Sequence, residues 1–185
     1  PSVEVKEIYL ETSHLFIKTF GDEMYKIRPD VNLIHLTRNP LEVAKSFFNR
    51  GAIPGPNNPF LLDPNFKRNK IKISYNMSDF QKCLWYWFEI EVRHYQFIKT
   101  HNIKKIVDVD INELNDLEKV KQLFEELGLK YKKNMKFDVK KNKNKKRTKI
   151  TVENLKEARE LINVLPDWVF DKIGDKYNIK GRVEN

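Results

Sequence analysis

VNLIHLTRNPLEVAKSFFNR, residues 31–50, reads as a strand, a tight corner and a helix. Val31, Leu33, Ile34 and Leu36 make a nearly continuous apolar run, the pattern of a parallel strand buried on both faces. Arg38-Asn39-Pro40 then turns the chain. Asn39 is a strong N-cap, and Pro40 suits the first helical position, where its missing N–H costs nothing. Glu42 complements the positive end of the helix dipole. Val43, Ala44, Phe47 and Phe48 supply a core-facing stripe. The corner sets a cationic side chain at the carboxyl end of a strand, beside an open helix N-terminus. That is where α/β sheets bind anionic ligands.

Working outward, residues 4–10 read as a short strand that ends at Glu11-Thr12-Ser13-His14. Residues 15–25 read as a helix or turn, with Leu15, Phe16 and Phe20 inward and Gly21 closing it. Beyond the corner, residues 51–78 change character. Gly51, Pro54, Gly55, Pro56, Pro59 and Pro64 exclude long regular elements, and Asn57-Asn58 and Asp63-Pro64-Asn65 are turn signals. A long irregular stretch inside a compact domain is usually functional, and its position makes it a candidate lid on the acceptor side of a site. Lys67, Arg68, Lys70 and Lys72 could there meet an anionic acceptor.

Residues 79–100 form the longest helix, capped by Ser78 or Asp79. Phe80, Leu84, Trp87, Phe88, Val92, Tyr95 and Ile98 recur on one face, and Trp85-Tyr86-Trp87 reads as core. Residues 104–110 are a second parallel strand, followed by a helix over 117–127 that Gly128 stops. Thr151 caps another helix, ended by Pro166, and a last one spans 167–177. The order predicts a single three-layer α/β domain over residues 1–185, a small parallel sheet flanked by helices.

With 185 residues, of which 40% are hydrophobic and twelve are Phe, the chain is long enough for a substantial core. Its net charge of +9 suits an anionic ligand, although much of the excess lies in the run KKNKNKKRTK over 140–149. Cys83 is the single cysteine, so no intrachain disulfide forms, and a cytoplasmic location is the expectation. No apolar run approaches the length of a membrane span. No His, Cys or carboxylate cluster has metal-ligand spacing, so no metal is expected.

Arg38-Asn39-Pro40 followed by Ser46, an R-N/D-P-x5-S pattern on a strand-to-helix corner, resembles the 3′-phosphate motif of sulfotransferases that use 3′-phosphoadenosine 5′-phosphosulfate (PAPS). In that family the Arg and the Ser hold the 3′-phosphate. An Arg fork suits such a group, and a serine hydroxyl adds one donor. Glu11-Thr12-Ser13-His14-Leu15-Phe16, which begins 27 residues before Arg38, resembles the family's E-K-S/T-P-x-Y/F segment. Its Glu is the base that takes the acceptor's proton. Thr12 and His14 replace the usual Lys and Pro, which leaves His14 as a rival base. A helix bearing Trp at 79–100 and the order strand, acidic-Leu turn, helix and Leu-Gly-Leu over 104–129 are further similarities. Lys146 and Arg147 fall where many glycan sulfotransferases carry a lysine-glycine-arginine loop over the cofactor, here without the glycine.

The resemblance implies a fold of the P-loop lineage and transfer of a sulfuryl group from PAPS to an acceptor hydroxyl or amine, on a glycan or small molecule. Glu11 or His14 would be the base, Arg38 and Ser46 the 3′-phosphate anchors, and Lys146 and Arg147 the cover. The family's glycine-rich loop for the 5′-phosphosulfate has no counterpart in this sequence, neither Gly-x-x-x-x-Gly-Lys-Ser/Thr nor the looser variant. The expectation is that the chain is a piece of a longer protein, and that by itself it binds PAPS weakly. The acceptor and the oligomeric state are not specified by the residues. The alternative is a non-enzymatic domain that binds nucleic acid or another polyanion through the basic run, although nucleic acid is not the expected partner.

Overall fold

The computed structural model describes residue 13 and residues 15–130, 149–174 and 177–184. Among them, a 3-10 turn at Phe16–Lys18 leads into helix α1, Gly21–Ile27. Strand β1, Asn32–Thr37, runs into helix α2, Pro40–Asn49. After the irregular segment comes α3, Asp79–Thr100, then strand β2, Lys105–Asp110. A 3-10 turn at Glu113–Asn115 precedes α4, Leu117–Glu126. Helices α5, Val152–Val164, α6, Asp167–Ile173, and α7, Ile179–Glu184, complete the described chain.

The sheet has two parallel strands among the described residues, and the protein is a mixed α/β fold with several helices about it. The register sets His35 beside Asp108 and Thr37 beside Asp110 on one face, with Ile34 beside Val107 and Leu36 beside Val109 on the other. On the first face, α3 lies opposite, with Glu91 and His94 reaching His35. On the second, Val107 and Val109 are buried toward α4, sharing a concavity with Gln122 and Leu123.

β1 departs from the expected doubly buried strand. Ile34 is 39% and Leu36 53% exposed, because α4 covers only the β2 half of that face among the described residues. An apolar run records what a face is suited to bury, and whether a partner covers it is decided elsewhere in the chain.

α3 is the central element. Ser78 caps it through a box with Gln81: the Ser78 hydroxyl accepts from the Gln81 N–H, and the Gln81 side chain accepts from the Ser78 N–H. Phe80, Leu84, Phe88 and Val92 recur every fourth residue and are 0–1% exposed. Burying each contributes roughly 1.5–3 kcal/mol. Trp85 is wholly buried and donates its indole N–H to the Ile71 carbonyl at 3.3 Å, so it belongs to the core. α2, α5 and α6 pack around α3.

Gly21 opens α1 instead of closing the preceding turn. A Cβ there would lie 3.0 Å from the Phe16 carbonyl oxygen and 3.3 Å from the Phe97 ring, a fit tighter than ordinary contact, so glycine is favoured by close approach. α6 stops at Ile173, earlier than expected, because Gly174 takes φ 67°.

The segment 51–78 is irregular, and it is tied into the core. Pro54 and Ile71 are fully buried and Asn69 is 4% exposed. The Glu89 carboxylate, wholly buried in α3, accepts from the N–H groups of Lys70 and Ile71 and from Arg93 Nε at 2.7 Å. A buried charge is tolerable only when paired and hydrogen-bonded in this way.

Candidate functional site

Asn39 leaves β1 with φ −49° and ψ 122°, a non-helical cap. Its side-chain oxygen accepts from the Leu41 N–H at 3.0 Å and the Glu42 N–H at 3.4 Å, and its carbonyl accepts from Val43. Pro40 has no N–H to offer. The helix N-terminus is therefore closed by its own cap, not open to an anion as the sequence suggested. Any anion binding at this corner falls to side chains.

Glu42 and Ser46 lie at i, i+4 spacing on one face of α2, with Arg50 at its C-cap, and Arg38, ahead of the helix, joins that face through its contact with Glu42. The Arg38 side chain is 38% exposed, and its Nε and Nη2 contact Glu42 Oε2 at 3.0 and 2.9 Å. Ser46 is half-buried one turn, about 5.4 Å, beyond Glu42. Its carbonyl accepts from Arg50 Nε at 3.0 Å. Thus Arg38 and Ser46 share a face, with a carboxylate between them that occupies the guanidinium. Arg38 and Ser46 are the side-chain donors on this face, and Glu42 holds the space between them. Lys45 contributes nothing to this face: it is buried, donating to Asn154 Oδ1 at 2.6 Å, and joins α2 to α5.

Glu11, His14, Lys146 and Arg147 lie outside the described residues. Ser13, within the same motif, accepts from the Leu15 N–H at 3.2 Å, a local turn. Lys18 donates to the Tyr86 hydroxyl at 3.0 Å and to the Phe60 carbonyl, linking the first turn to α3 and to the irregular segment. Burial, helped by the charge of Arg93, pulls the Lys18 ammonium down to about 8. Lys67 and Arg68 are exposed, whereas Lys72 donates to the carbonyls of Phe66 and Lys67.

A second constellation lies on the inner face of the sheet and was not singled out from the sequence. His35 Nδ1 is 2.6 Å from Asp108 Oδ1, and its Nε2 is 3.2 Å from Glu91 Oε2. The His35 ring stacks on His94 with centroids 3.6 Å apart and planes at 27°. Tyr177 donates to Asp110 Oδ2 at 2.8 Å at the carboxyl end of β2. Burial pulls the His35 imidazole down, but the bonds and charges of Glu91 and Asp108 outweigh it and hold its pKa above the ordinary histidine value. Burial, with the neighbouring His35 cation, pushes His94 down to about 4. These residues flank a cavity of about 240 Å³ that Trp87, Phe88 and Phe170 also line. One signal was present in the sequence: a lone histidine inside an apolar strand. Its partner Asp108 stands 73 positions later and is assigned only by the register of a parallel pair.

Cys83 is buried, which pushes its thiol up to about 12 and makes it a poor nucleophile. Among the described residues no group of three or more His, Cys, Asp or Glu is arranged to hold a metal, and no helix is long and apolar enough to cross a membrane. Comparison of this chain with protein-family models, with curated proteins and with solved structures finds no match.

Proposed function

We propose that this chain is a PAPS-dependent sulfotransferase domain of the P-loop lineage, in which the β1–α2 corner holds the 3′-phosphate of the donor. The observation that carries the reading is the corner itself: Arg38 follows the carboxyl end of a parallel strand and contacts Glu42, and Ser46 lies one turn on from Glu42 along the same face of α2. Arg38 would grip two phosphate oxygens with its fork, and the Ser46 hydroxyl would donate to a third. Glu42 would give up its contact with Arg38 on binding.

PAPS supplies the sulfuryl group, which leaves the 5′-phosphate and ends on the acceptor oxygen or nitrogen. Glu11, or His14 beside it, would take the proton that the acceptor loses. A carboxylate at a strand end does this best when partial desolvation raises its pKa toward neutrality. Lys146 and Arg147 would cover the donor and offset charge on the transferring group. What Arg38 and Ser46 contribute is position, since holding the reactants in line replaces a bimolecular encounter. The acceptor is a hydroxyl or amine on a glycan or small molecule.

The test is calorimetric titration of adenosine 3′,5′-bisphosphate into the wild-type chain and the Arg38→Ala/Ser46→Ala variant. The reading requires binding that the double substitution weakens by at least about tenfold, the worth of one or two charge-assisted hydrogen bonds. Binding equal in the two proteins, with a steep salt dependence, would instead favour a polyanion-binding domain that works through its lysines.

A further inference from the structure

We propose that the cavity between the β1–β2 sheet and helices α3 and α6 binds a small organic amine. Its ammonium would be held by Glu91 and its apolar body would lie against Trp87. This does not rest on the sulfuryl-transfer reading, and its test uses neither a nucleotide nor Arg38.

The charge of the cavity comes first. The described lining sets two carboxylates, Glu91 and Asp108, against one imidazole, His35. These lining groups carry a net negative charge with His35 charged and more so with His35 neutral, offset in part by the Lys180 ammonium over the Phe170 ring. That is notable in a chain of net charge +9. An anion such as a phosphate is repelled here, and a neutral ligand gains little.

The state of Glu91 is the second observation. Its side chain is 13% exposed, yet among the described residues its carboxylate has a hydrogen bond or ion pair only with His35 Nε2, at 3.2 and 3.4 Å. A carboxylate has about four acceptor sites, and one buried this far normally fills more of them. Glu89, two residues earlier on the same helix, shows the contrast with three N–H donors at 2.7–3.0 Å. A primary ammonium brings three donors and a positive charge, which completes Glu91.

The walls match an amine with an apolar body. Trp87 lies in the lining, edge-on to Phe88 and Tyr177, and an indole face attracts a cation. The Lys180 ammonium sits 4.1 Å over the Phe170 ring, an example of a cation packed on an aromatic of this lining. At about 240 Å³ the space is below the roughly 300–1,000 Å³ of drug-sized pockets, so the ligand is small.

His35 makes the site pH-sensitive. It faces Asp108 from β2 and Glu91 and His94 from α3, with Tyr177, Asp110 and Lys180 the other ionisable groups about the cavity. A charged His35 competes with the ligand for Glu91. Losing that proton removes the competing cation, so affinity rises with pH as long as the amine stays charged.

Benzylamine, with benzyl alcohol as its uncharged counterpart, is the probe, followed by the three indole N–H signals in an NMR titration. The expected result is a saturable shift of the Trp87 signal larger than those of Trp85 and Trp168. Affinity should be at least about tenfold weaker in Glu91→Gln and tighter at roughly pH 8.5 than at about pH 6. Should Glu91→Gln fail to fold, the comparison with benzyl alcohol and the pH dependence, both measured on the wild-type chain, carry the test. Equal shifts with benzyl alcohol, an unaltered affinity in the folded variant, or no saturation by about 10 mM, weaker than the roughly 4 kcal/mol of a millimolar complex, would overturn the proposal.

Discussion

Glu42→Gln should tighten the binding of adenosine 3′,5′-bisphosphate. In the free protein Arg38 contacts Glu42 at 2.9 and 3.0 Å, with side chains 38% and 52% exposed. An ion pair so exposed is worth roughly 0.2–1 kcal/mol, and a phosphate on Arg38 must break or share it. The Glu42 carboxylate would then lie on the order of 5 Å from a dianion. In water each unit charge at that distance costs about 0.8 kcal/mol, and screening over a Debye length of about 8 Å removes roughly half of the sum. Together the two effects come to about 1–2 kcal/mol, or roughly fivefold to thirtyfold in Kd. Glutamine keeps the length of the side chain and gives up a favourable charge at the helix N-terminus, a stability cost of about 0.3–1 kcal/mol. The assay is calorimetry on wild type, Glu42→Gln and Arg38→Ala/Glu42→Gln. The gain must vanish in the Arg38→Ala background. An unchanged Kd for Glu42→Gln, or an equal gain for 5′-AMP, refutes the claim that this pair guards a 3′-phosphate site.

Three other expectations follow from the structure. Glu89→Ala leaves Arg93 and the Lys70 and Ile71 amides without their buried acceptor, so a loss of about 3–5 kcal/mol in a urea titration is expected. A loss below about 1 kcal/mol would show that water fills the site. Lys18, held near 8, should be the lysine most readily acylated at pH 8 by mass-spectrometric mapping. About half its amines are then neutral, against ~0.3% for an ordinary lysine. His94 is neutral in the folded chain down to about 4 but takes a proton below about 6.5 when unfolded. Stability therefore falls as pH drops from about 6.5 to 4, by at most roughly 3 kcal/mol and less for its exposed fraction. His94→Phe, which keeps a ring on His35, should flatten that part of the stability profile measured by thermal denaturation.

The local elements were legible because their signals are local. Asn39 with Pro40, Ser78 with Gln81, Thr151 with Asn154 and Gly128 each fix a helix end through contacts within a few residues, and each end falls where those residues stand. β1 was legible as a strand, but not its half-open face, since cover is a tertiary matter. Gly21 opens α1 where a terminator is expected, because the close contacts that favour glycine come from the Phe16 carbonyl and from Phe97 on another helix, and spacing shows neither. At the corner the sequence offers Arg38 and Ser46 as a pair eight residues apart, and the pairing of Arg38 with Glu42, four residues on, is equally readable. Glu42 serves both the helix dipole and Arg38, and the Asn39 cap that closes the N-terminus to an anion is a local signal as well. The His35 constellation could not be assembled, because its members come from two strands, α3 and the C-terminal segment.

The most direct test of the corner is selectivity: calorimetric titration of the wild-type chain with adenosine 3′,5′-bisphosphate, 5′-AMP and ADP under one buffer and salt condition. A site that reads the 3′-phosphate through Arg38 and Ser46 favours the bisphosphate over both competitors by about tenfold or more. Equal affinities for the three, falling together as salt is raised, would contradict it and leave a surface that responds to charge alone.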